Sequence, residues 1–169
     1  MNDKIRNVGV LGCGLMGSGI AQVCAQSGYR TIVLEASEPL LARGLARITR
    51  FLTDGVARGK VTPEGQEATL ARLSGTTSYA ALVDCDFVIE AIVENIDDKR
   101  AAYGALDALL DDRVIFCSNT SSLCITELAA STKRPDVFAI RSAGRRPTSR
   151  RGWRSPPSIW TWPVTPLPR

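Results

Sequence analysis

Short apolar runs alternate with longer amphipathic stretches along the first 140 residues. Val8, Val10 and Leu11 make the first run and predict a buried strand. Gly12, Gly14 and Gly17 follow, and Ile20, Val23 and Cys24 then recur at the spacing of a helix face. After Gly28, residues 31–34 predict a second strand that ends at Glu35. Ser37 can cap a long helix over 38–56, whose apolar stripe is Leu41, Leu45, Ile48 and Leu52. Thr62 and Pro63 read as the N-cap and first position of a shorter helix running to Leu73. A strand over 75–78 and a turn of helix over 79–83 follow. The remaining pattern predicts strands at 87–91, 114–117 and 137–140 and helices at 97–110 and 125–130, with Tyr103, Leu106 and Leu110 facing inward.

This βαβ alternation predicts an α/β fold, a Rossmann-type parallel sheet with helices on both faces. Ligands of such sheets sit beyond the carboxyl ends of the strands. Glu35, the stretch 90–95 and the stretch 119–122 all fall at such ends. The spacing G-x-G-x-x-G between a strand and a helix gives each glycine a mechanical task. Gly12 permits the tight turn, Gly14 lets backbone approach a pyrophosphate, and Gly17 lets the helix pack closely. The turn residues Gly12, Gly14, Leu15, Met16 and Gly17 are therefore candidate cofactor ligands. Glu35, about 20 residues on, is placed to accept bonds from an adenine ribose. Its charge would repel a 2′-phosphate, so NAD is expected rather than NADP.

Length and charge bound the remainder. The 169 residues suffice for one domain and not for two ordinary ones. No run reaches transmembrane length and no signal-peptide pattern precedes the first strand, so a cytoplasmic protein is expected. The five cysteines, Cys13, Cys24, Cys85, Cys117 and Cys124, show no C-x-x-C and read as small buried fillers rather than metal ligands or disulfides. Cys13 lies in the glycine turn, where a helix N-terminus could activate it, but filler is the better reading. Seven of the 21 basic residues lie in 141–169, which holds no acid; the other 14 face all 17 acids, a net of −3. The body thus gives no reason to expect nucleic acid as a partner. Residues 141–169 also hold six of the nine prolines and all three tryptophans, with no periodicity, and predict an irregular tail. The expected organisation is a dinucleotide-binding domain over 1–140 and a non-domain tail over 141–169.

The candidates for chemistry beyond the turn are Glu90, Glu94, Lys99, Asn119, Ser121 and Ser122, polar groups at strand ends. The competing reading has Asn119 and the serines capping the next helix, with Glu94 and Lys99 on a solvated helix face. Hydride transfer from an alcohol also needs a base for the hydroxyl proton. The chain has no histidine, and Tyr29, Tyr79 and Tyr103 show no Y-x-x-x-K arrangement.

Three stretches carry a specific resemblance: VGVLGCGLMGSGIAQVCAQSGY at 8–29, DFVIEAIVENIDDKR at 86–100 and SNTSSLCITELAASTKRPDVFA at 118–139. In these the chain resembles the N-terminal domain of the L-3-hydroxyacyl-CoA dehydrogenases of fatty-acid β-oxidation, over residues 5–140. The group includes the bacterial 3-hydroxybutyryl-CoA dehydrogenases. The resemblance implies NAD as cofactor, an acyl-CoA substrate, Glu35 on the adenine ribose where the family usually has aspartate, and Glu94 and Lys99 near the cofactor. It further implies Asn119 and Ser121 as catalytic-site residues, Ser121 bonding the substrate's 3-oxygen. The family's general base is a histidine in a G-x-H-F-F-N-P segment, held by a glutamate about a dozen residues later. The alignment of flanking residues puts that histidine at Ser142, and Asp136 is the last acid of the chain. The family's helical C-terminal domain, which completes the acyl-CoA site and the homodimer, has no counterpart either.

These departures imply an NAD-binding portion that is inactive alone. Alternatives are a non-catalytic NAD-binding module, a hydroxyacid dehydrogenase of the β-hydroxyisobutyrate type, and a poorly folded product without function. An Arg/Pro/Trp-rich tail that breaks the resemblance abruptly is what an out-of-frame reading of GC-rich coding sequence produces. The coding sequence, shifted by one or two bases near codon 140, is expected to encode the H-F-x-N-P segment and a helical domain. Nucleotide sequencing checks this, and the absence of such a frame overturns it.

Overall fold

The computed structural model describes residues 5–120, 125–133 and 138–140. The elements run β1 (Asn7–Leu11), α1 (Leu15–Gln26), β2 (Arg30–Leu34), α2 (Glu38–Ala57), α3 (Pro63–Leu70) and β3 (Leu73–Thr76). A single 3-10 turn, Tyr79–Leu82, leads to β4 (Phe87–Glu90), α4 (Ile96–Leu109), β5 (Ile115–Ser118), α5 (Ile125–Ala130) and β6 (Phe138–Ile140). All neighbouring strands pair in parallel, in the order β3-β2-β1-β4-β5-β6. The order reverses at β1, so the crevice between the loops after β1 and β4 is the sheet's topological switch point.

The register aligns the carboxyl ends in one row. Leu11 lies opposite Leu34 and Glu90, Glu90 opposite Ser118, and Ser118 opposite Ile140. Both faces are covered, which explains why the strands read as continuous apolar runs. On one face Val8, Val10, Val33, Phe87 and Ile89 pack with Ala21 of α1 and Leu41, Ile48 and Leu52 of α2. On the other, Leu11, Leu34, Val88 and Phe116 pack with Ala102, Tyr103 and Leu106 of α4 and with Leu82 and Leu128. The Tyr103 and Phe116 rings meet at 5.5 Å, and the Tyr103 hydroxyl donates to the Cys117 carbonyl at 3.2 Å. Burial raises the Tyr103 pKa well above its ordinary value, with Glu90 adding to the effect, so the phenol stays protonated.

The predicted order of strands and helices is the observed one, with local departures. The helix expected to reach Leu73 stops at Leu70, and β3 begins at Leu73 rather than at 75. Pairing with β2 explains the shift: the Arg72 carbonyl already accepts the Thr31 N–H at 2.8 Å. Ser37 occupies the N-cap position of α2, but its side chain makes no capping bond. Thr62 does cap α3, accepting from the Gly65 N–H at 3.0 Å. Asn95 caps α4 by accepting from the Asp97 and Asp98 N–H groups, and both aspartates favour that helix end.

Cys13, Cys85 and Cys117 are buried and Cys24 is half-buried, all four as thiols rather than disulfides. Burial pushes Cys13 up to about 11, with Glu35 adding to the effect and Arg47 opposing it, so this thiol is a filler at neutral pH. Cys124, Ser121, Ser122, Ser142 and the tail 141–169 lie outside the described residues. Among the described residues no helix is long and apolar enough to cross a membrane.

The packing of α2 on the glycine turn depends on Gly44. A Cβ there would stand 2.4 Å from the Cys13 Sγ and 2.8 Å from its carbonyl oxygen. Gly44→Ala gains about 1 kcal/mol of helix propensity but meets an overpacking cost of about 1–3 kcal/mol. Urea unfolding is expected to show net destabilisation; a stabilised variant would mean that α2 can move off the turn without cost.

Candidate functional site

The crevice begins at the glycine turn. Gly12 adopts φ +86°, and a Cβ on it would meet the Ala91 carbonyl oxygen at 2.7 Å, so the turn presses against the loop after β4. At Gly17 a Cβ would come within 1.9 Å of the Gly12 carbonyl oxygen. No residue other than glycine leaves α1 seated there. Gly14 behaves differently: its φ is −65° and nothing lies within 4 Å of the Cβ position. The fold therefore does not require glycine at 14, and the space above it is open.

Gly14 is also the N-cap of α1, with no side-chain cap and no acid in the first turn. The first-turn N–H groups of a helix lack intrahelical acceptors, and together with the dipole they favour an anion. Leu15 (73 % exposed) and Met16 (51 %) flank this end with apolar surface. Across the turn, Glu35 Oε1 accepts the Cys13 N–H at 2.6 Å, and its Oε2 accepts the Ala36 N–H at 3.0 Å. Arg47 of α2 holds the opposite pole of the same residue, its Nη1 donating to the Cys13 carbonyl at 3.1 Å. The donor set fits a dinucleotide: an open helix N-terminus for the diphosphate, and a half-exposed carboxylate beside it for ribose hydroxyls.

A second cluster occupies the ends of β4 and β5. Glu90 is fully buried, and its Oε1 accepts from Lys99 Nζ at 2.5 Å and from the Ile92 N–H at 2.8 Å. Its Oε2 accepts from Ser118 Oγ at 2.6 Å. Lys99, only 1 % exposed, also lies 3.2 Å from Glu94 Oε2. Glu94 is 42 % exposed and accepts a bond from the Thr120 hydroxyl across the crevice. Asn119 is half-buried, with its N–H on the Glu90 carbonyl at 2.9 Å. The competing reading, with Lys99 on a solvated helix face, is thus overturned, because its side chain is buried and its ammonium meets two carboxylates. Removing one partner of such a buried pair typically costs about 3–5 kcal/mol.

The structure thus brings Gly12, Gly14, Leu15, Met16, Gly17 and Glu35 to one side of the switch point and Glu94, Lys99 and Asn119 to the other. Sequence reasoning missed Arg47 and Gly44. Arg47 has no local signature, being 34 residues from its acceptor. An isolated glycine inside a helical pattern, as at Gly44, is a legible signal of close packing. Among the described residues no group of three His, Cys, Asp or Glu side chains could hold a metal ion.

Comparison with known proteins bears on the family and the fold. The family profile described as 3-hydroxyacyl-CoA dehydrogenase, NAD binding domain, matches residues 7–141. A 3-hydroxybutyryl-CoA dehydrogenase of Mycobacterium tuberculosis is 42 % identical over 136 residues, covering 80 % of this chain and 48 % of that protein. The fatty acid oxidation complex subunit alpha of Acinetobacter baylyi is 40 % identical over 134 residues, covering 79 % of this chain and 19 % of the relative. The crystal structure of M. tuberculosis FadB2 superposes with a TM-score of 0.79 at 41 % identity, over 80 % of this chain and 48 % of that one. The chain spans about half the length of the 3-hydroxybutyryl-CoA dehydrogenase it matches. On a match to 135 of its residues, with glycine turn, acid and strand order all in place, the chain belongs to the NAD-binding domain family of the 3-hydroxyacyl-CoA dehydrogenases.

Proposed function

We propose that these 169 residues are the NAD-binding portion of an enzyme that oxidises L-3-hydroxyacyl-CoA to 3-oxoacyl-CoA. The observation that carries this reading is the pairing of an uncapped α1 N-terminus at Gly14 with the Glu35 carboxylate one residue away on Cys13. When bound, NAD⁺ supplies the hydride acceptor. The chain's part is to bind and orient. Leu15 and Met16 N–H groups receive the diphosphate, Glu35 accepts from the ribose hydroxyls, and Glu94, held from behind by the buried Lys99, borders the other half of the dinucleotide. Asn119 lines the meeting point with the thioester substrate, and the family resemblance assigns the bond to the substrate's 3-oxygen to Ser121, which lies outside the described residues.

Proton removal from the substrate hydroxyl has no histidine to perform it in this sequence. Loss of a general base costs roughly 10²–10⁴-fold, so the chain binds cofactor without useful turnover. The same observation favours a second reading, a non-catalytic NAD-binding module. A cytoplasmic setting accords with the described cysteines being thiols rather than disulfides. Homodimerisation, which the family resemblance attributes to a helical domain, is proposed for the complete enzyme.

Calorimetry on the purified chain is expected to give saturable NAD binding, with NADP much weaker because Glu35 repels the 2′-phosphate; no NAD binding overturns the reading. Gly14→Ser provides a sharper check. Serine is a better N-cap than glycine, so stability should hold or rise by a few tenths of a kcal/mol, while the new side chain fills the diphosphate space and weakens NAD about tenfold or more. Acetoacetyl-CoA-dependent loss of NADH absorbance by the pure chain would contradict the proposed inactivity and set aside the non-catalytic module as well.

A further inference from the structure

Glu90 takes no part in the site proposed above, yet four of the bonds that shape the carboxyl ends of β4 and β5 converge on it. Its carboxylate accepts from the Ile92 N–H, from Lys99 and from Ser118, and its main-chain carbonyl accepts from the Asn119 N–H. The surrounding β4 residues are Phe87, Val88 and Ile89, so the local sequence calls for another apolar side chain. A buried ion pair rarely stabilises more than a well-packed apolar substitute would. Stability alone therefore does not account for a charge at this point of the sheet.

Geometry supplies the reason. In a doubly wound sheet the dinucleotide crosses the switch point, and Glu35 fixes the adenosine half on the β2 side. The other half then lies over the ends of β4 and β5. Glu90 sits beneath both loops there: it holds the 91–95 loop through Ile92, Glu94 through Lys99, and the 119–120 turn through Ser118 and Asn119. Thr120 closes the ring, its N–H bonding Ser118 Oγ at 3.2 Å and its hydroxyl bonding Glu94. We infer that Glu90 is a positioning residue for the nicotinamide half of the cofactor, fixing Glu94 and Asn119 at one separation across the crevice. In Glu90→Gln the shape stays and the charge that draws Lys99 inward is lost. Glu94 becomes the one carboxylate left to that ammonium, and the crevice wall shifts.

The inference rests on the NAD reading, and the test separates the two. Calorimetry with NAD and with ADP-ribose, which lacks the nicotinamide, is run on the full chain, on E90Q and on S118A. E90Q is expected to bind NAD about tenfold more weakly while ADP-ribose stays within about twofold. S118A removes one bond to Glu90 and is expected to lose about threefold for NAD and nothing for ADP-ribose. Parallel losses for both ligands would reduce Glu90 to a structural role, and unchanged NAD affinity in both variants would remove its role altogether. If E90Q does not fold, the same ratio in S118A decides. Failure of the unaltered chain to bind either ligand overturns the NAD reading instead, and the inference with it.

Discussion

Everything at the carboxyl edge depends on how closely α1 sits against the end of β1. The Gly17 Cα rests so near the Gly12 carbonyl that a methyl group could not be placed between them. That contact sets the direction of the helix, and hence where its free N–H groups point. Gly12, in its left-handed conformation, then lies against the loop after β4, so one backbone turn ties the first strand to both halves of the crevice. The three glycines of the motif are not equivalent. Two are demanded by the protein's own packing, while nothing lies within 4 Å of the Cβ position at Gly14.

Two opposite solutions to the placing of charge occur on either side of the switch point. On the β2 side, Glu35 and Arg47 hold the two poles of one residue, Cys13, while Glu35 stays partly open to solvent. There the carboxylate keeps solvent contact and can still exchange hydrogen-bond partners. On the β4–β5 side, Glu90 and Lys99 are withdrawn from water altogether and present only Glu94 outward. A charge with no solvent contact relaxes little, so this side is built to hold a fixed shape.

The family match and the chain's chemistry also constrain each other. Residues 7–141 match the NAD-binding domain of the family, and Gly12, Gly14, Gly17, Glu35, Glu90 and Glu94 all lie within that stretch. Proton transfer is the one function for which the sequence offers no histidine. On the proposed reading, cofactor binding uses the switch-point crevice and catalysis needs a base brought over it.

The sequence by itself determined the fold class, the order of strands and helices, the glycine turn and the acid after the second strand. Each of these is written in short-range pattern: apolar runs of strand length, helical spacing, and glycines at fixed intervals. Even the departures were local, as with β3, where pairing with β2 outweighed the helical pattern through Leu73. Only the tertiary structure decided that Lys99 is buried, that Arg47 reaches the glycine turn, and that Glu90 joins two loops. Those outcomes depend on which strands become neighbours. β4 lies beside β5 in a common register, so Glu90 meets Ser118 28 residues away, a pairing that no local pattern encodes.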